Sequence, residues 1–98
     1  MNVIQKNESS LRDLCREYDI EFLAVFGSTA RGTDNSESDV DLLVRFSHPV
    51  SLFDLVRIER AFSDVIERDV DLVTESSLSE YIEPQVRDEM TVVYERAA

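Results

Sequence analysis

The chain has 98 residues, one domain's worth and only marginally enough to bury its own core. A hydrophobic fraction of 43% argues against disorder despite 32% charged residues, and two Gly and two Pro leave little scope for flexible linkers. Twenty-one acidic against ten basic residues give a net charge of −11. That surface repels a phosphate backbone, so no direct nucleic-acid binding is expected. It suits a basic protein partner, carboxylates gathered around divalent metal, or simple solubility.

In chain order, residues 1–7 are polar and are expected to fray. Ser9 or Ser10 is expected to cap a helix with Leu11, Leu14, Cys15 and Tyr18 on one side. Cys15 is the only cysteine, which excludes an intrachain disulfide, and its place on that side marks it as a buried thiol rather than a nucleophile. Glu21 to Phe26 is a short apolar run that ends at Gly27 and reads as a buried strand stopping at a tight turn. The polar stretch Thr33 to Ser38 reads as a loop. Asp39 to Phe46 reads as a second strand, with both Asp on one face and Val40 and Leu42 on the other.

Ser51 to about Glu67 is the longest helical signal, with Leu52, Leu55, Val56, Phe62 and Ile66 at helical spacing and Ser51 as N-cap. Asp69 to Val73 reads as a third strand. Ser76 to Glu89 reads as a turn and a short helix that begins or kinks near Pro84, and Thr91 to Tyr94 as a last, edge strand. The expected class is therefore α/β (α+β), a small mixed sheet with helices packed on one side of it. The strand directions stay open. The N-terminus lacks the apolar run of a signal peptide and no segment reaches membrane-spanning length, so no membrane association and a cytoplasmic location are expected.

Three features carry chemistry. Gly27-Ser28-Thr29-Ala30-Arg31-Gly32 follows a buried strand. A Gly there lets the backbone approach a ligand, and a following short helix would present free N–H groups to phosphate. Ser28 could donate to a phosphate oxygen, and Arg31 could bind phosphate or a local carboxylate. An ordinary strand-to-helix turn would look similar. Ser38-Asp39-Val40-Asp41 forces two carboxylates together at a strand start, where they repel unless a cation intervenes. A solvated strand face is the plainer alternative. Asp69-Val70-Asp71 repeats the pattern, and Asp71, flanked by Val70 and Leu72, is the better third carboxylate, whereas Asp69 suits a turn. Three carboxylates holding two metal ions match nucleotidyl transfer: one ion lowers the pKa of the attacking hydroxyl and the other neutralises the leaving pyrophosphate.

The pair of motifs Gly27-Ser28-Thr29-Ala30-Arg31-Gly32 and Ser38-Asp39-Val40-Asp41-Leu42-Leu43-Val44 resembles the signature of the DNA polymerase β-like nucleotidyltransferase superfamily. The short length and the Ala-Arg-Gly continuation resemble its minimal nucleotidyltransferase branch, the antitoxin partners of HEPN-domain toxins. Glu83 to Glu95 resembles the tail of such proteins. The resemblance spans nearly the whole chain and implies one minimal nucleotidyltransferase domain over residues 1–98 with the polymerase β-like fold. It implies that Gly27 and Ser28 contact nucleotide phosphate, and that Asp39, Asp41 and Asp71 are the catalytic, Mg²⁺-binding carboxylates. It further implies transfer of AMP from ATP to a tyrosine of a cognate HEPN ribonuclease toxin, within a hetero-oligomer. A non-catalytic antitoxin that acts by binding, or a transferase for a small molecule or nucleic-acid end, are the alternatives. His48 reads as a loop residue, Arg45 as facing either phosphate or solvent, and Tyr81 and Tyr94 as packing residues.

Overall fold

A computed structural model shows the fold; it describes residues 3–32 and 39–96, apart from the side chains of Ser28 and Arg31. The expected loop over Thr33 to Ser38 lies outside the described residues. Helix α1 (Val3–Lys6) and helix α2 (Glu8–Glu17) open the chain. Met1 and Asn2 lie outside the described residues; from Val3 on, the expected fraying is corrected, since Val3–Lys6 is helical and Ile4 is buried. Ile4, Leu11 and Cys15 stand at spacings of seven and four, so Ile4 prolongs the apolar stripe by two turns. The expected cap at Ser9 or Ser10 is corrected too. Asn7 occupies the N-cap position without a side-chain cap bond, and its Nδ2 instead donates to the Val3 carbonyl at 2.9 Å.

Four strands follow: β1 (Ile20–Phe26), β2 (Val40–Phe46), β3 (Val70–Thr74) and β4 (Thr91–Glu95). Their order is β3-β2-β1-β4, with β1 antiparallel to both neighbours and β2 parallel to β3. A parallel pair needs a crossover, and helix α4 (Leu52–Ile66) supplies it. Ser51 caps α4 as expected, its Oγ accepting from the Asp54 N–H at 3.1 Å.

One sheet face buries Leu23, Val25, Val40, Leu42, Val44 and Leu72 against Leu11 and Cys15 of α2 and Ile58, Phe62 and Ile66 of α4. The expectation that helices lie on one side only is corrected by helix α5 (Glu83–Glu89), which carries Pro84 in its first turn and sets Val86 against Phe22, Ala24 and Leu43 on the opposite face. Those strand residues alternate with the first set, so β1 and β2 present apolar side chains on both faces and both need cover. Leu52 and Val56, expected in the core, are 75% and 50% exposed. The buried side of α4 centres on Phe62, and Val56 lies about 120° around the helix from it. Tyr81, expected to pack, is 87% exposed, because it precedes α5 and shares no helical face with Val86. Among the described residues no helix is long and apolar enough to cross a membrane.

Cys15 is fully buried among these side chains. Burial pushes its thiol from 9.0 up to about 12, opposed by the neighbouring Arg16 charge. The thiol is structural, as its position in the sequence indicates.

Candidate active site

The carboxylate face is built by register. Asp41 of β2 and Asp71 of β3 are direct partners on adjacent parallel strands, so their side chains leave the same face about 4.8 Å apart along the sheet. Val40 and Val70, partners one step earlier, point into the core beneath them. Asp39 lies two residues before Asp41, just ahead of β2, and is exposed. Asp71 is exposed and Asp41 half-buried. The Asp69 carbonyl accepts the Val40 N–H at 2.9 Å, closing the lead-in to both strands, which agrees with a turn role for Asp69.

The glycine turn meets these carboxylates directly. Phe26, the last residue of β1, is the antiparallel partner of Asp41, and Gly27 follows it with φ +74°. A Cβ on Gly27 would collide with Oδ2 of Asp41 and stand 3.3 Å from its Cγ. Glycine is needed here twice over, for the left-handed backbone and for the room the carboxylate takes. Helix α3 (Gly27–Arg31) starts at this point. Thr29 is its buried polar residue and is not without a partner. The backbone thus brings Gly27, Asp39, Asp41 and Asp71 to one end of one sheet face. Ser28 and Arg31 lie in α3, and the side-chain roles expected of them fall outside the described residues.

The donor chemistry fits a hard divalent cation: carboxylate oxygens only, side by side, with no thiol or imidazole among them. Among the described residues no three such groups converge closely enough to hold a cation as they stand.

Other candidates lie elsewhere. Arg45 projects from the opposite end of β2, bonding Glu21 and Glu75 at 3.1 Å each and covering the Phe22 ring at 5.3 Å. It is tied down structurally rather than aimed at phosphate. Arg87 of α5 reaches the same Glu75 at 3.3 Å, which fastens α5 to the sheet. His48 is exposed, its Nδ1 3.0 Å from the Pro49 carbonyl. Tyr94 packs half-buried against the main core.

Two supporting residues escape a reading for motifs. β3 is an edge strand, and its outward N–H groups would be left to solvent or to other chains. Val70 N–H instead donates to Ser63 Oγ at 3.0 Å and Leu72 N–H to Glu59 Oε2 at 2.8 Å. Both acceptors come from α4, and they bracket Asp71. Their signal in the sequence is slight: two polar residues four apart beside the apolar side of a helix.

The family described as Polymerase beta, Nucleotidyltransferase matches residues 9–98. The protein adenylyltransferase MntA of Thermococcus cleftensis is 34% identical over 82 residues, 84% of this chain and 83% of that one. A solved structure of a proposed minimal nucleotidyltransferase is 31% identical, with a TM-score of 0.79 over 93% of this chain and 95% of that chain. A complex of the tri-AMPylated Shewanella oneidensis HEPN toxin with its MNT antitoxin contains a chain of the same fold, with TM-score 0.73 and 21% identity over 94% of this chain and 72% of that one. The family match over residues 9–98, with the 34% identity to a protein adenylyltransferase, places this chain in the polymerase beta nucleotidyltransferase family, among its protein adenylyltransferases.

Proposed function

We propose that the chain, acting as one minimal nucleotidyltransferase domain, transfers AMP from ATP to a tyrosine of a cognate HEPN ribonuclease toxin and thereby neutralises it. The observation that carries this reading is the abutment of Gly27 on Asp41, with Asp71 in register beside Asp41. It puts a turn able to receive phosphate against carboxylates able to hold metal. The AMPylated HEPN toxin held by its MNT antitoxin, on the same fold, supports the acceptor.

Asp39, Asp41 and Asp71 would hold two Mg²⁺ ions. Bound metal supplies the positive charge that offsets the triphosphate and acidifies the attacking hydroxyl. The chain itself performs the positioning. Gly27 admits the phosphate backbone-close, and Ser28 and Arg31 serve as its hydrogen-bonding partners. The sheet keeps Asp41 and Asp71 from separating, because the parallel pairing of β2 with β3 holds them in register. The toxin tyrosine must arrive at the open end of this face, and a hetero-oligomer delivers it.

Incubating the toxin encoded beside this protein with the chain, ATP and Mg²⁺ tests the proposal by intact mass spectrometry. Whole AMP increments on the toxin are expected. Asp39→Asn/Asp41→Asn should cut the rate at least about a hundredfold while leaving the complex intact, since the lost charges act on the reaction and not on the core. A tight, inhibitory complex with no mass gain would replace transfer by neutralisation through binding.

A further inference from the structure

The outer side of α4 carries a stripe that nucleotidyl transfer does not use. Phe53, Val56, Arg57, Arg60, Asp64 and Glu67 fall within about 100° of one another around the helix, counting Glu67 as its closing residue. All six are exposed. They lie opposite Ile58, Phe62 and Ile66, which hold α4 on the sheet. A solvated helix face is ordinarily polar along its length. Here the first turns expose Phe53 at 89% together with Leu52 and Val56. Large apolar side chains grouped this way mark a surface that another protein covers.

The charges on the stripe indicate what covers it. The two cations, Arg57 and Arg60, stand in the middle of α4, and the two anions, Asp64 and Glu67, at its C-terminal end. Arg57 is paired with Asp54 at 2.6 Å, but both are solvent-exposed and such a pair is weak, so Arg57 is able to turn to a better partner. A helix with this polarity complements its own reverse. We infer that two copies of this chain associate through antiparallel α4 helices about a two-fold axis near Ala61. Arg57 and Arg60 of each copy face Asp64 and Glu67 of the other, and Val56 is covered by the end of the partner helix, with Phe53 just beyond the overlap. Such a two-fold contact uses the same patch twice, which is the commonest way soluble chains pair.

α4 is 15 residues, about 22 Å, so the contact lies at the small end of specific interfaces and the dimer is weak and concentration-dependent. It forms on the sheet face away from Asp41 and Asp71, which leaves both reaction sites open. It does not depend on nucleotidyl transfer and is measurable without nucleotide.

Sedimentation equilibrium of the full chain tests it. The apparent mass should rise from 11.2 kDa toward twice that value as concentration increases to about 0.5 mM. Val56→Glu should hold the chain at 11.2 kDa. Arg57→Glu/Arg60→Glu and Asp64→Arg/Glu67→Arg should each stay monomeric alone and associate when mixed, the signature of antiparallel charge pairing. All of these residues are exposed, and circular dichroism confirms that the variants fold. Wild-type protein that stays at 11.2 kDa throughout, or charge-reversed variants that ignore each other, overturns the inference. A monomeric wild type whose capture of the toxin is weakened by Val56→Glu also overturns it, and assigns the stripe to the toxin instead.

Discussion

Gly27 and Gly32 share the same backbone angle, φ +74°, yet they stand in different surroundings. A Cβ at Gly32 meets nothing within 4 Å, whereas at Gly27 it runs into the Asp41 carboxylate. Gly32→Ala should therefore cost about 1–2 kcal/mol, the left-handed penalty alone, and leave transfer intact. Gly27→Ala adds the collision and should cost about 2–4 kcal/mol while removing activity, because Asp41 must move. Urea melts beside AMP-transfer assays separate the two; equal effects would show that the carboxylate is not what confines position 27. Cys15 supplies a pH test. Its folded pKa of about 12 lies above the unfolded 9.0. Below 9 both states hold the proton and the thiol's contribution is fully present. Above 9 the unfolded chain releases it first, so stability falls by about 1.4 kcal/mol per pH unit until the folded pKa is reached. Cys15→Ala should lose about 1–2 kcal/mol near neutrality from the small void it leaves, and show a flatter alkaline limb in melts from pH 8 to 11. Parallel limbs in the two proteins would refute the assignment.

At the scale of elements, β3 is the strand most open to failure. It has five residues, lies at the sheet edge, and carries Asp71. Glu59 and Ser63 close that edge by accepting its outward N–H groups. Removing either acceptor leaves a half-buried N–H short of a partner, so Glu59→Ala and Ser63→Ala should each destabilise by about 1–2 kcal/mol. Hydrogen exchange should quicken at Val70 and Leu72 before it does in β1, and AMP transfer should fall as Asp71 loses its register. Unchanged exchange at both amides would show that water replaces these bonds. α4 is thus a crossover, the lid of the main core and the clamp on β3 at once. Its periodicity was legible in the sequence, but its buried side was not, since Leu52 and Val56 fit the helical spacing equally well and ended in solvent. The sheet needed only the side centred on Phe62, and the apolar residues beyond it were left for another surface.

For the molecule as a whole, 21 acidic side chains against 10 basic ones oppose compaction. Screening should relieve that. Raising NaCl from about 20 to about 500 mM should lift the melting temperature by a few degrees, because like-charge repulsion outweighs the scattered exposed ion pairs that salt also weakens. A flat or falling melting temperature would show that those pairs dominate. The two-faced sheet is a property of this scale too. Alternating apolar residues on both sides of β1 and β2 draw α5 onto the face that carries the carboxylates, and the Arg87–Glu75–Arg45 chain fastens it there.

Most of the elements and the candidate site residues were legible because they depend on local rules. Period two sets Asp39 beside Asp41, period 3.6 marks α2 and α4, and a glycine after an apolar run marks a turn. These rules depend only on near neighbours along the chain, so the sequence by itself determined the strands, the helices and the chemistry on offer. Pairing does not follow from near neighbours. That β2 and β3 run parallel, that Asp41 and Asp71 fall in the same register, and that Gly27 lies against a carboxylate 14 positions further on were decided only in the tertiary structure. The physical reason is that register is chosen by burial. Val40, Leu42, Val70 and Leu72 must all face one core, and once they do, the aspartates between them have no choice but to share the opposite face.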